Sequence, residues 1–254
     1  MSQFEAAQPI AAPTPSLPTG RDVLIAAGIF IALLVVMIVG VWLFQPPGHN
    51  LGDSDPERLG LVLALLLAQN AAILFAVWVA VRRNGRNAAV VLGIGGITGK
   101  RLIVALIAGA VIGPLLSFGI SLLQSALGQA QHTPGVDVLA PAGFTWVGYA
   151  GMLVVGGIVA PFAEEVMFRG LLFGWLRRRM RPWLAALASA IPFGLAHIQP
   201  EHIVYAIGAG FLLALVYQRL GSLWASVAAH VAINALAISY VYISLYYGVP
   251  MNQL

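Results

Sequence analysis

The chain has 254 residues, 60% of them hydrophobic and 9% charged, with 13 Lys+Arg against 9 Asp+Glu and no cysteine. The charged share is roughly a third of that usual in soluble domains, and mean hydropathy reaches +0.90, so lipid is the expected solvent. The missing thiols exclude a disulfide framework, thiolate metal sites and a cysteine nucleophile.

Residues 1–20 carry four prolines and no basic residue, which predicts a disordered tail rather than a secretory signal with its basic start. Val23–Phe44 then runs 22 residues without a charge, long enough to cross a bilayer as a helix. Leu59–Val81 is a second such run, and Leu102 to about Leu127 a third, softened by Pro114, Ser117, Ser121 and Gln124. Phe144–Leu176 is too long for one perpendicular span, and Gly156, Gly157 and Pro161 offer places to bend or break it. Trp183–Ile198, Ile203–Gln218 and Ser222 to about Tyr247 complete the set. The expected fold class is an all-α polytopic transmembrane bundle of seven spans, eight if the fourth region splits. Its expected parts are a tail at 1–20, N-terminal helices at 21–143, a catalytic core at 144–247 and a tail at 248–254. No internal repeat and no appended soluble domain is visible.

Basic residues crowd two connections, Arg82, Arg83, Arg86, Lys100 and Arg101 in one, Arg177, Arg178, Arg179 and Arg181 in the other. The loop at 128–142 has none. The positive-inside rule puts both basic loops, and with seven spans the N-terminus, in the cytoplasm. Beside a span, the 177–181 arginines set topology or meet anionic lipid; no nucleic-acid partner is expected. Trp42, Trp78, Trp146 and Trp183 fit interfacial anchors, and Gly208 and Gly210 fit close helix packing.

Two acids lie inside a span, in Pro161–Phe162–Ala163–Glu164–Glu165–Val166–Met167–Phe168–Arg169. An ionisable residue there costs about 2.5–3.5 kcal/mol on insertion scales, which makes it a functional hypothesis by default. Glu165 and Arg169 are four apart and share a helix face, as an ion pair requires. Glu164 is rotated by about 100° from Glu165 and has no obvious local partner; an unpaired carboxylate in a dry site is a candidate proton acceptor. Two histidines also fall within spans: Phe193 and His197 share one face at i, i+4, as do His230 and Asn234. Counted inward at 1.5 Å per residue, Glu164 lies about 20 Å deep, His197 about 21 Å, His230 about 12 Å and Asn234 about 18 Å. A shared site demands such agreement; unrelated structural polar residues do not.

A carboxylate, two imidazoles and an amide suit attack of water on a carbonyl. Glu164 can take the proton, His197 can hold the water, and His230 and Asn234 can donate to the oxyanion. The same Glu164, His197 and His230 could instead ligate Zn²⁺, although the compact His-Glu-x-x-His motif is absent. Glu201 and His202 fit a solvated turn at the non-cytoplasmic side, and His49 and His132 lie in loops.

Glu164–Glu165–x–x–x–Arg169, Phe193–x–x–x–His197 and His230–x–x–x–Asn234, in that order on successive helices, resemble the CPBP family of CAAX prenyl proteases and bacteriocin-processing (Abi) enzymes, which includes the type II CAAX endopeptidases. The resemblance covers roughly Phe144–Ala237, and Arg169–Gly170 and Gly221–Ser222–Leu223–Trp224 look like its bacterial branch. It implies an eight-helix intramembrane endopeptidase of a bacterial cytoplasmic membrane whose site opens to the cytosol. By resemblance Glu164 is the base, the residue matching His197 orients water, and those matching His230 and Asn234 stabilise the oxyanion, with Glu165 and Arg169 in support. The glutamate-dependent reading needs no metal and is favoured over zinc. The expected partners are a peptide or lipidated protein substrate, prenylated in some relatives, and the bilayer itself. The rival functions are a transporter or proton relay, which also buries Glu, His and Arg, and a non-catalytic immunity or scaffold protein.

Overall fold

The computed structural model describes residues 17–44, 56–83, 86–128, 139–197 and 200–250. The loops holding His49 and His132, most of the expected N-terminal tail and residues 251–254 lie outside them. Every regular element among the described residues is a helix: α1 Gly20–Phe44, α2 Pro56–Arg82, the single turn α3 Ala88–Val91, α4 Gly99–Ala126, α5 Trp146–Leu176, α6 Pro182–Leu195, α7 Pro200–Leu220 and α8 Leu223–Tyr246. Six of them are long and apolar enough to cross a membrane, and α6 is a shorter apolar helix. The chain is thus an all-α polytopic membrane protein. With α6 counted, the described residues hold seven apolar helices, not the eight that the resemblance implies.

The fourth region does not split, in keeping with seven spans rather than the alternative eight. α5 continues through Pro161 by widening its screw, with π-helical stretches at Val155–Val159 and Val166–Phe173 on either side of Ala160–Glu165. A proline lacks the N–H that an α-helix needs four residues back, and a local change of helical repeat absorbs the defect without a turn. The chain therefore keeps one crossing here.

Helix starts follow side-chain caps. Thr145 accepts from the Gly148 amide at 2.9 Å where α5 begins, and Thr98 caps α4. At α1, Thr19 and Asp22 form a reciprocal box: the Thr19 amide donates to Asp22 at 2.8 Å and the Asp22 amide to the Thr19 hydroxyl at 3.2 Å. Asp22 is fully buried and also takes the Arg86 guanidinium, whose other nitrogen donates to the Leu17 carbonyl. The end of the expected tail is therefore fastened to the connection after α2.

Small residues let the site-bearing helices approach. A Cβ at Gly109 of α4 would run into the Ala229 carbonyl of α8, and one at Gly194 of α6 would meet Ile207 and the Ile203 carbonyl of α7. Without a hydrophobic drive between helices in lipid, such backbone proximity and polar contacts decide which faces associate.

Candidate active site

The two wide turns of α5 set the direction of its acids. The Ala160 amide reaches back five residues to the Val155 carbonyl. By the same repeat the Gly156 carbonyl would wait for an N–H from Pro161, which has none. Asn234 of α8 supplies the donor, with Nδ2 at 3.0 Å from that oxygen. This contact docks α8 on α5, where Gly156 and Gly157 face Ile238 and Ala235. Asn234→Ala leaves the carbonyl unpaired, so the expected loss is about 1–3 kcal/mol, measured as a lowered melting midpoint in detergent.

Past Pro161 the acids diverge, as the sequence spacing predicts. Glu165 is fully buried, and its Oε1 lies 2.8 Å from a terminal nitrogen of Arg169 and 2.9 Å from Nδ1 of His230. Arg169 is itself buried; its second terminal nitrogen donates to the Gly210 carbonyl at 3.0 Å, and its Cζ sits 4.3 Å above the Phe193 ring. The guanidinium is thus met by a carboxylate, a carbonyl and an aromatic face, the set that makes a buried cation tolerable. Gly210 is needed as glycine, because a Cβ would stand 2.8 Å from the Phe193 ring.

Glu164 is different. Its side chain keeps 17% exposure against 0% for Glu165, and its Oε2 lies 3.7 Å from Nε2 of His230, longer than a direct hydrogen bond. His230 therefore stands between the two acids, its ring only 6% exposed. A carboxylate only accepts, so Nδ1 of His230 is a donor to Glu165, and Nε2 faces Glu164.

His197 follows the end of α6. The Phe193 carbonyl, among the last of that helix and so without a helical donor, lies 2.9 Å from Nδ1 of His197. A carbonyl can only accept; Nδ1 carries the proton and Nε2 offers a lone pair. The Phe193 ring connects the cluster, edge-on to His197 at 5.0 Å, to His230 at 5.8 Å and to Phe168 at 5.1 Å between centroids.

The structure thus joins Glu165, Arg169 and His230 directly, sets Glu164 3.7 Å from His230, brings His197 to them across Phe193, and places Asn234 one turn beyond His230. Phe168, Gly156 and Gly210 support the cluster; the sequence marks the two glycines only as bending and packing positions, and Phe168 not at all. His202 departs from the solvated turn expected of it: it is half-buried and its ring stacks on His197. The Glu201 side chain lies outside the described set. Among the described residues no group of three His, Cys, Asp or Glu is gathered to hold a metal ion, and Glu164, His197 and His230 as placed do not form one.

One carboxylate fixed by a guanidinium and an imidazole, with a freer carboxylate beside it, defines a polar site inside the helix bundle. Residues 146–236 match the family described as type II CAAX prenyl endopeptidase Rce1-like, and all the residues of the cluster fall within that match. The segment is thus similar to the core of that family. It is also similar to a Bacillus subtilis (strain 168) protein named "Putative membrane peptidase YdiL", with 32% identity over 87 residues, which are 34% of this chain and 36% of that protein. The matched part thus spans about a third of the length of this curated relative. No solved structure matches the chain.

Proposed function

We propose that the protein is an intramembrane endopeptidase, which hydrolyses a peptide bond of a membrane-associated or lipidated substrate, CAAX-type prenylated chains included. The observation that carries this reading is the division between the acids. Glu165 is held by Arg169 and His230, whereas Glu164 keeps partial exposure beside an imidazole. Water held by the bare Nε2 of His197 gives its proton to Glu164 as its oxygen attacks the carbonyl carbon. The oxyanion receives the remaining Nδ2–H of Asn234 and, from the imidazolium form of His230, Nε2–H; such donors matter most where water is excluded. When the tetrahedral intermediate collapses, Glu164 returns the proton to the leaving amine. The reaction is assigned to 144–247, with the N-terminus in the cytoplasm and the site open to that side, as the basic connections favour.

The test uses purified protein in detergent with a fluorogenic farnesylated peptide and its unlipidated twin, with and without chelator, against Glu164→Gln. Cleavage of at least one peptide that survives chelator and disappears in the variant is the expected result. Native cleavage by Glu164→Gln overturns the general-base assignment, and loss of cleavage with chelator replaces it with zinc chemistry at Glu164, His197 and His230.

A further inference from the structure

His197 sits in a turn. The α6 helix ends at Leu195, so no helical backbone fixes its ring, and one hydrogen bond to the Phe193 carbonyl still lets the imidazole swing about its Cα–Cβ and Cβ–Cγ bonds. One face of that ring is covered by His202 of α7, with centroids 5.0 Å apart and planes 26° from parallel. His202 in turn lies 5.5 Å from the Tyr205 ring, and the Tyr205 hydroxyl is hydrogen-bonded to Ser117 of α4. A column of contacts therefore runs from Ser117 of α4 through the rings of Tyr205 and His202 to His197, which also meets Phe193 edge-on at 5.0 Å.

We propose that His202 is a positioning residue for the hydrolytic reaction: its ring, stacked on His197 and backed by Tyr205, holds the His197 imidazole so that Nε2 faces the water beside Glu164. This rests on the role given to His197 above. A stack needs a flat ring and not a titrating one, because offset faces attract through dispersion and complementary quadrupoles. Phenylalanine should therefore replace His202 and alanine should not, a pattern that a hydrogen-bonding or acid–base role would not give.

The experiment compares native protein, His202→Ala, His202→Phe, His197→Ala and the His197→Ala/His202→Ala pair, using the farnesylated fluorogenic peptide as probe. His202→Ala should lower kcat about tenfold with KM unchanged, the scale of a modest misplacement, while His202→Phe stays near native. In the His197→Ala background the second change should add no further loss. A readout without substrate accompanies these: in histidine-¹⁵N-labelled protein, with His197→Ala supplying the assignment, His197 should show the single Nδ1–H tautomer, kept in His202→Phe and mixed in His202→Ala. Equal kcat for His202→Ala and native, equal loss in His202→Phe and His202→Ala, or unchanged His197 nitrogen signals in His202→Ala would each overturn the proposal. Failure of the hydrolytic reading is separate: it appears as native cleavage by Glu164→Gln or His197→Ala, whereas the nitrogen signals report the ring column by themselves.

Discussion

Arg169→Ala should be the most destabilising single change in the protein, by about 3–5 kcal/mol, because it strands a buried carboxylate without its cation. Glu165 has 0% exposure, so it cannot recover by solvation while the bundle stays packed. The Gly210 carbonyl and the face of Phe193 lose their partner at the same time. The measurement is the melting midpoint in detergent, with α-helical signal as the probe. A paired change, Glu165→Gln with Arg169→Met, removes both charges and keeps an oxygen for Nδ1 of His230; it should regain most of the lost stability. Near-additive losses would show that the two side chains do not act as a unit.

Glu164→Gln should do the opposite, leaving the melting midpoint within the range of a surface change while kcat falls about 10²–10⁴-fold, the usual contribution of a positioned general base. The substitution keeps shape and removes only the ability to take a proton. Among the described residues no guanidinium lies within ion-pair distance of Glu164, and its side chain is partly open, so little folding energy is at stake. Rates with the farnesylated probe and melting curves on the same preparation check both halves. A variant that melts early and cleaves normally would exchange the roles of the two neighbours.

Much of this was legible in the residue spacing because a helix maps four residues onto one face. The Glu165–Arg169 pair, and the shared faces of Phe193 with His197 and of His230 with Asn234, follow from that alone. Periodicity does not say which helix lies opposite a face. That His230 stands between both acids depends on Gly156 and Gly157 admitting α8 against α5, a long-range event with no local signature. Pro161 reads equally as a bend or a break, and only the neighbouring Asn234 shows how its missing N–H is compensated. Nothing in the spacing marks Asp22, yet it binds Arg86 across 64 positions. His202 looked wet because it borders a turn; its ring is instead half-buried and stacked on His197.

The wide turns of α5 also place a condition on how this sequence can vary. A π-helical turn holds one residue more than an α-helix of the same rise requires. Losing one position from Val155–Val159 would let the screw close to an α-helix with the residues beyond it still in phase, whereas closing it with every residue kept would swing them by about 100°. In that second case Glu164 and Glu165 would turn away from His230, with every side chain of the cluster still present. The stretch can give up its surplus residue but cannot straighten around it, and the acids carry the difference.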